Sequence, residues 1–312
     1  MFQIISDGGC DFSTAETQAF NVQVVPFYIS FDGNTHLKEG IDITREEYFS
    51  RLASDKKLFP KTAQPSPQDY IDAYTPHLKA GRDILSVTIS SKLSGSHNSA
   101  VLAANMLRDE FPQRRLVVLD SQSASIGQGL ILKEIAKMKK AGFSLEKTAD
   151  LAERVLKTTR VYFTLDSLEY LRRGGRVGPT TAFVGGILGL RPILHLEDGQ
   201  VSHLDNVRGK KNAMRLISEA LTHTLRDDAQ NVNICIGHIL KEDDAVIFKY
   251  DTETSLGITI DNEVAEIGAA IGTHTGPGGL AFAYCKKFES IVRQENRGHI
   301  QPAAHSLEAE SA

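Results

Sequence analysis

The sequence predicts an α/β protein of two domains, an N-terminal doubly wound parallel sheet and a C-terminal α+β domain with a mixed sheet. Through residues 1–158, short apolar runs rich in β-branched residues alternate with segments of helical spacing. This alternation is typical of parallel strands joined by helices. Beyond residue 159 the alternation stops, and two apolar runs flank Glu197-Asp198-Gly199-Gln200, which is a hairpin signal.

The N-terminal domain is predicted to span residues 1–158. Ser66 and Pro67 give one of its helices a capping residue and a proline at the first position, and Gly81 follows where a left-handed cap is expected. The predicted strands are residues 2–6, 22–31, 84–89 and 116–119, and the predicted helices are residues 45–53, 67–79, 96–111, 126–140 and 145–157.

The C-terminal domain is predicted to span residues 159–296. Its predicted strands are residues 161–165, 192–196, 201–206, 232–239 and 258–264, and its predicted helices are residues 168–173, 212–229 and 244–254. Residues 297–312 are polar and alanine-rich, and we expect a disordered tail there.

Composition excludes several classes of protein. The 312 residues carry a net charge of −4, so no basic field indicates a nucleic-acid partner. The three cysteines contain no CxxC pair, which argues against structural disulfides and a zinc site. The chain enters an apolar run at Phe2 without a basic leader, and its most apolar segment, residues 182–190, is too short to span a bilayer. We therefore expect a soluble cytoplasmic protein.

A serine-rich turn follows the predicted strand 84–89. The segment "ISSKLSGSHNSA", residues 89–100, places five serines between this strand and a helix. In open parallel sheets, ligands bind beyond the carboxyl ends of strands, and a helix N-terminus there favours an anion. The hydroxyls would suit a carboxylate or a phosphate. A simple helix cap explains the serines equally well.

Two further segments carry polar residues that need explanation. In "KTAQPSP", residues 61–67, the helix start accounts for Ser66 and Pro67 but leaves Thr62 and Gln64 on a loop. In residues 272–279, several glycines and one proline predict a tight turn that carries a single histidine, His274. Taken alone, a surface-turn histidine is the simpler interpretation.

Together the segments strongly resemble the DegV family of bacterial fatty-acid-binding proteins. The resemblance rests on "KTAQPSP", "SSKLSGSHNSA" and "IGTHTGPGGLA", and continues through "SLEYLRRGGRV", "GGILGLRPIL" and "VRGKKNA" in the family's order, over residues 1 to about 290. It implies two α/β domains with a lipid between them. The first turn departs from the family pattern: its usual hydroxyls are missing, although Asp7 and Asp11 remain.

The resemblance also implies the roles of individual residues. The carboxylate of a long-chain fatty acid is expected to bind Thr62, Ser94 and Gly95, with His274 close by. Arg176 and Arg208 match positions used near the head group or for partner docking. The partner implied is the catalytic subunit of an ATP-dependent fatty acid kinase, to which such proteins present the lipid. No catalytic residue, metal or cofactor is expected in this chain.

Lipid exchange requires the cavity to open at a membrane surface. The apolar segment 182–190 contains Gly185, Gly186 and Gly189, each of which weakens a helix by roughly 1 kcal/mol relative to alanine. We expect this segment to act as the gate and to contact the membrane transiently. A core helix with glycines for close packing is the alternative.

Two other functions stay open from the sequence. One is a hydrolase or acyltransferase with Ser94 as nucleophile and His274 as base. Against it, the chain has no G-x-S-x-G elbow, and no acidic residue can be assigned as the third member of a triad. The other is a lipid carrier or sensor without a kinase partner.

Overall fold

The computed structural model describes residues 1–55, 57–177 and 190–298, with the backbone alone for 296–298. Its strands are β1 (Phe2–Asp7), β2 (Val22–Val25), β3 (Tyr28–Ser30), β4 (Leu37–Lys38), β5 (Lys61–Ala63), β6 (Asp83–Thr88), β7 (Leu116–Asp120), β8 (Arg160–Thr164), β9 (Leu190–Glu197), β10 (Gln200–Arg208), β11 (Val232–His238), β12 (Ala265–Glu266) and β13 (Leu280–Lys286). Its helices are α1 (Thr14–Ala19), α2 (Arg45–Ser54), α3 (Pro67–Lys79), α4 (Ser96–Arg108), α5 (Ile126–Lys140), α6 (Leu145–Thr158), α7 (Glu169–Gly174), α8 (Lys210–Leu225), α9 (Glu242–Leu256), α10 (Ala269–Thr275) and α11 (Phe288–Gly298).

The N-terminal half is built on a parallel sheet of four strands in the order β2-β1-β6-β7. Helices α3 and α4 pack on one face of the sheet, and α6 packs on the other. Because successive side chains of a strand point to opposite faces, Ile5 joins the apolar cluster under α3 and α4, whereas Ile4 joins the central cluster. The predicted parallel, doubly wound sheet is confirmed.

The C-terminal half contains a mixed sheet of six strands in the order β10-β9-β8-β13-β11-β12. Its neighbouring strands are antiparallel except for β11 and β12. Helices α5 and α6 contact this sheet and α8 and α9 also pack against it, while the central apolar cluster draws residues from both halves. The mixed sheet agrees with the predicted fold class. The domain boundary at residues 158/159 stays a prediction.

A small antiparallel sheet in the order β4-β3-β5 was not predicted. The predicted strand 22–31 divides into β2 and β3, which belong to different sheets. Pro26 lies at the division, and it has no N–H to donate to a ladder. The segment around Thr62, predicted as a loop, forms β5 and pairs with β3.

The predicted strand 258–264 is wrong. The backbone N–H of Ile258 donates to the carbonyl of Glu253 at 3.2 Å, and that of Ile260 donates to the Glu253 side chain at 2.8 Å. These two backbone donors are therefore bonded to the end of α9, which leaves them unavailable to a sheet. The predicted tight turn 272–279 is also partly wrong, because His274 lies in the last turn of α10, which ends at Gly276 with φ of +73°.

The other boundaries agree within a few residues, and helices 67–79 and 126–140 match as predicted. Ser66 caps α3 through a reciprocal bond with Asp69. Helix α11 extends to residue 298, past the predicted start of the tail, and residues 299–312 lie outside the described part of the chain, as do the predicted gate residues Gly185, Gly186 and Gly189. Among the helices described, none is long and apolar enough to cross a bilayer.

Candidate functional site

A cavity of about 300 Å³ lies between the two halves of the molecule, beyond the carboxyl end of β6. Most of its wall is aliphatic or aromatic, with Phe27 and Ile89 from the N-terminal half and Phe163, Ile239 and Leu280 from the C-terminal half. Cavities that bind small ligands have this composition, with a few polar groups that orient the ligand. The cavity can therefore take an apolar chain.

Four of the predicted site residues lie on the wall of this cavity: Thr62, Ser94, Arg176 and His274. They come from β5, the serine turn before α4, the segment after α7, and the last turn of α10. Thr62 Oγ1 lies 2.8 Å from His274 Nε2, although the two residues are 212 positions apart in the chain. The fold thus brings four separate segments of the sequence to one place.

His274 is held in a largely apolar setting against α7. A Cβ on Gly174 would overlap His274 Nδ1, so only glycine allows this close approach. Burial, and to a smaller extent the nearby Arg176 guanidinium, lowers the pKa of His274 to about 4. The imidazole is therefore neutral at neutral pH. Its Nδ1 atom is buried and has no hydrogen-bond partner among the residues that the structure describes.

The serine turn presents Ser94 at the start of α4. Ser94 Oγ accepts a hydrogen bond from the backbone N–H of Ser96 at 3.2 Å. Gly95 occupies the N-cap position without a side-chain cap, so the first turn keeps N–H groups available to a ligand. A Cβ on Gly95 would come within 2.5 Å of the Gln64 side-chain amide. Gln64 also lines the cavity, which explains a residue that the helix start left unexplained.

The two predicted arginines differ in position. Arg176 Nε donates to the carbonyl of Leu93 at 3.1 Å and its Nη1 donates to that of Gly174 at 2.6 Å, which fixes the guanidinium beside the serine turn. Arg208 is exposed at the end of β10 and is not part of the cavity wall. The structure brings Arg176 to the site and leaves Arg208 on the surface.

The site does not have the geometry of a serine hydrolase. A catalytic triad needs a histidine that bonds the nucleophile with one nitrogen and an acid with the other. Here His274 Nε2 contacts Thr62 rather than Ser94, and no carboxylate within the described residues bonds Nδ1. The same part of the chain contains no group of three histidine, cysteine or acidic side chains arranged to hold a metal ion.

Asp7 and Asp11, the two acids of the first turn, are buried and do not line the cavity. Asp7 lies beneath the serine turn and accepts hydrogen bonds from Ile89 after β6, from Ser96 of α4 and from Gln128 of α5. Asp11 Oδ2 accepts a 2.5 Å hydrogen bond from Ser125, which does line the cavity. Direct contact of either acid with a ligand in the cavity is therefore not supported.

The sequence model of the DegV family, described as "Uncharacterised protein, DegV family", matches residues 1–287. The chain belongs to the DegV family. A DegV domain-containing protein of Caldanaerobacter subterraneus is 33% identical over 274 residues, which cover 88% of this chain and 95% of that protein.

Solved structures extend the DegV relationship to the fold. A stearic-acid-binding protein from Eubacterium ventriosum has a TM-score of 0.89 and 30% identity, with 93% of this chain and 100% of that chain covered. A fatty-acid-binding DegV family protein from Thermus thermophilus has a TM-score of 0.82 and 32% identity, covering 91% and 99% of the two chains. The resemblance seen in the sequence, and the DegV fold that it implies, are confirmed.

Proposed function

We propose that this protein binds a long-chain fatty acid and carries it as a non-catalytic substrate-binding subunit. In this proposal Thr62, Ser94, Gly95 and His274 hold the carboxylate, and the acyl chain lies in the apolar cavity. The observation that carries the proposal is the Thr62–His274 pair, which lies beside Ser94 on the wall of an otherwise largely apolar cavity. The binding of fatty acids by the structurally similar DegV proteins supports it.

The clamp is built from neutral donors. The imidazole is uncharged, and we assign its proton to Nε2, because a proton on Nδ1 would be a buried donor without a partner among the described residues. In this tautomer His274 Nε2 donates to Thr62 Oγ1, and the Thr62 hydroxyl proton is directed toward the carboxylate. Ser94 and the open first turn of α4 supply further donors. A buried carboxylate needs several such donors because an unpaired buried charge is very costly. The arrangement selects an acid over an uncharged lipid.

The acyl chain supplies most of the affinity. Burial of a C16 chain at about 0.8 kcal/mol per methylene gives on the order of 12 kcal/mol before the costs of binding. One hydrogen bond to a charged group contributes about 1.5–3 kcal/mol. The clamp therefore fixes the position of the head group, and the cavity determines how tightly the lipid binds.

The first test is mass spectrometry of lipid that co-purifies with the protein, followed by titration of the delipidated protein with fatty acids. We expect a bound long-chain acid and tight rebinding. The proposal is wrong if no fatty acid co-purifies and none binds in the titration.

Removal of a clamp hydroxyl is expected to weaken fatty-acid binding. Thr62→Val or Ser94→Ala each deletes one donor to the carboxylate, which corresponds to about 1.5–3 kcal/mol, or roughly a 10- to 150-fold rise in Kd. The matched control is Thr275→Val, since Thr275 also lines the cavity but its hydroxyl donates to the Ile271 carbonyl of its own helix at 2.9 Å. Equal Kd values for all three variants and the wild type in calorimetric titrations would rule out the clamp.

We propose further that the bound acid is presented to the catalytic subunit of an ATP-dependent fatty acid kinase, with transient contact to a membrane surface for lipid exchange. Arg176→Ala and Arg208→Ala are expected to retain lipid but to lose acyl-phosphate formation in a reaction reconstituted with such a subunit. The position of Arg176 beside the head-group site supports a role near the reacting carboxylate. The exposure of Arg208 suits a role in docking. Loss of the lipid itself from either variant would place that arginine in the clamp instead.

A further inference from the structure

A buried carboxyl group lies directly beneath the serine turn. Asp7, at the end of β1, is fully buried. Its Oδ1 accepts from the backbone N–H of Gly9 at 3.1 Å and from Gln128 Nε2 at 3.0 Å, and its Oδ2 accepts from the backbone N–H of Ile89 at 3.0 Å. Asp7 therefore ties the end of β1 to the residue after β6 and to α5.

The same carboxyl group holds the first residue of α4. Ser96 Oγ donates to Asp7 Oδ2 at 2.6 Å, while the Ser96 backbone N–H donates to Ser94 Oγ at 3.2 Å. Ser96 is completely buried and does not line the cavity. One residue thus connects the buried carboxyl group to the hydroxyl of Ser94 on the cavity wall.

Helix α3 adds the last member of this chain of hydrogen bonds. Tyr70 OH lies 2.7 Å from Ser96 Oγ and 3.4 Å from Asp7 Oδ2. Since Ser96 Oγ donates its only proton to Asp7, the single phenol proton of Tyr70 is available to Ser96 Oγ, the nearer acceptor, and to Asp7 Oδ2. Without the phenol, Ser96 keeps its bond to Asp7 but loses the partner that fixes its direction.

We propose that Tyr70, Ser96 and Asp7 are positioning residues, which hold the Ser94 hydroxyl in the orientation that binds a carboxylate. The inference rests on the proposed fatty-acid function. None of the three residues lines the cavity. Tyr70 and Ser96 reach the ligand only through Ser94 and the first turn of α4, so their effect is confined to the head group. Asp7 also holds the backbone of Ile89, which lies on the apolar wall, and the test therefore uses variants of Tyr70 and Ser96.

The test compares two tyrosines of α3. Tyr70 and Tyr74 lie one helical turn apart, both are fully buried, and each hydroxyl bonds a serine. The hydroxyl of Tyr74, however, donates to Ser86 Oγ, within β6, at 2.8 Å. Tyr74→Phe therefore removes a buried hydrogen bond of the same kind without touching the serine turn.

The measurement is the ratio of affinities for a fatty acid and for the fatty alcohol of equal chain length. Tyr70→Phe is expected to lower the preference for the acid about tenfold while alcohol affinity stays at the wild-type value, and Tyr74→Phe is expected to leave the ratio unchanged. Ser96→Ala should reproduce the effect of Tyr70→Phe, and Ser96→Thr, which restores a hydroxyl, should recover part of the preference.

The outcomes separate this inference from the proposed function. If the wild-type protein shows no preference for the acid, the clamp itself is absent and both proposals fail. If the wild type prefers the acid and Tyr70→Phe and Ser96→Ala keep that preference, the positioning role is refuted while the fatty-acid function stands. An equal loss in Tyr70→Phe and Tyr74→Phe would also refute it, because the effect would then be general destabilisation.

Discussion

Replacement of Ala281 by phenylalanine is expected to remove high-affinity binding of long acyl chains. Ala281 lies on β13 opposite Phe163 of β8, and both residues line the cavity. The phenyl ring would occupy volume that we assign to the acyl chain. Displacement of about four methylenes at about 0.8 kcal/mol each weakens binding by about 3 kcal/mol, or roughly 150-fold. Short acids, which need less of the cavity, should bind Ala281→Phe almost as they bind the wild type.

The matched control for this variant is Ala283→Phe. Ala283 lies on the same face of β13, two residues further along, but it is fully buried in the central apolar cluster and does not line the cavity. Phenylalanine there overpacks a filled core and costs about 1–3 kcal/mol of stability, whereas Ala281→Phe should melt near the wild-type temperature. Fluorescent fatty-acid displacement and thermal melts measure the two effects. Unchanged Kd values across the chain-length series for Ala281→Phe would contradict our assignment of the cavity to the acyl chain.

Asp11 is expected to make the protein less stable as the pH rises toward neutrality. Burial raises the pKa of Asp11 to about 7; Arg45 and Ser125 act in the opposite direction, and Glu39 raises it further. The folded state therefore holds a proton that the unfolded chain releases near pH 4. Its stabilising contribution is complete below about pH 4 and is lost as the pH rises through about 7. At 1.36 kcal/mol per pKa unit, the difference is about 4 kcal/mol.

The variant Asp11→Asn tests this contribution. Asparagine keeps an acceptor for Ser125 and tolerates the left-handed backbone at this position, where φ is +55°. The free energy of unfolding of Asp11→Asn should fall less between about pH 4 and 7 than that of the wild type. Above about pH 7, Asp11→Asn should be more stable than the wild type. As a control, Asp32→Asn should leave the slope between about pH 4 and 7 unchanged, since backbone N–H groups of Thr35 and Asn34 lower the pKa of Asp32 and its titration affects stability only below about pH 4. Parallel wild-type and Asp11→Asn curves in urea titrations across this range would contradict the assignment.

Local signals made part of the fold predictable. Helix α3 matches its prediction because Ser66, Pro67 and Gly81 mark its two ends with residues whose conformational preferences are strong. The strands of the parallel sheet were found from their apolar runs. The predicted strand 258–264 failed because its apolar residues belong to a loop. Ile260 is buried and Ile258 and Val264 are half-buried in the same apolar cluster, while the backbone N–H groups of Ile258 and Ile260 bond to Glu253. The apolar residues of this segment indicate that it is buried, but they do not indicate which groups its backbone N–H groups bond to.

The candidate site was predictable only through the resemblance to a family. Taken singly, the segments predict a capped helix, a serine turn and a histidine in a glycine-rich stretch. Each of these has a structural explanation that is simpler than a role in ligand binding. The bond between Thr62 and His274 joins residues 212 positions apart, and no period or spacing encodes such a contact. The sequence also did not indicate why residue 174 is glycine, because the side chain that a Cβ there would overlap, His274, lies on another helix. The sequence did not indicate the positioning role that we propose for Tyr70, since a buried tyrosine on an amphipathic helix is an ordinary core residue.

Strand β13 lies in the interior of the mixed sheet, between β8 and β11, but it is synthesised late. Residues 280–286 emerge from the ribosome after every other strand that the structure describes, yet they pair with both β8 and β11. Until they arrive, those two strands each keep an open edge, which is the kind of surface that promotes aggregation of nascent chains. Leu280 and Ala281 also complete the cavity wall. Capture of a ligand is therefore among the last events in the folding of this chain, and an incomplete chain exposes an unpaired sheet instead of a weakened binding site.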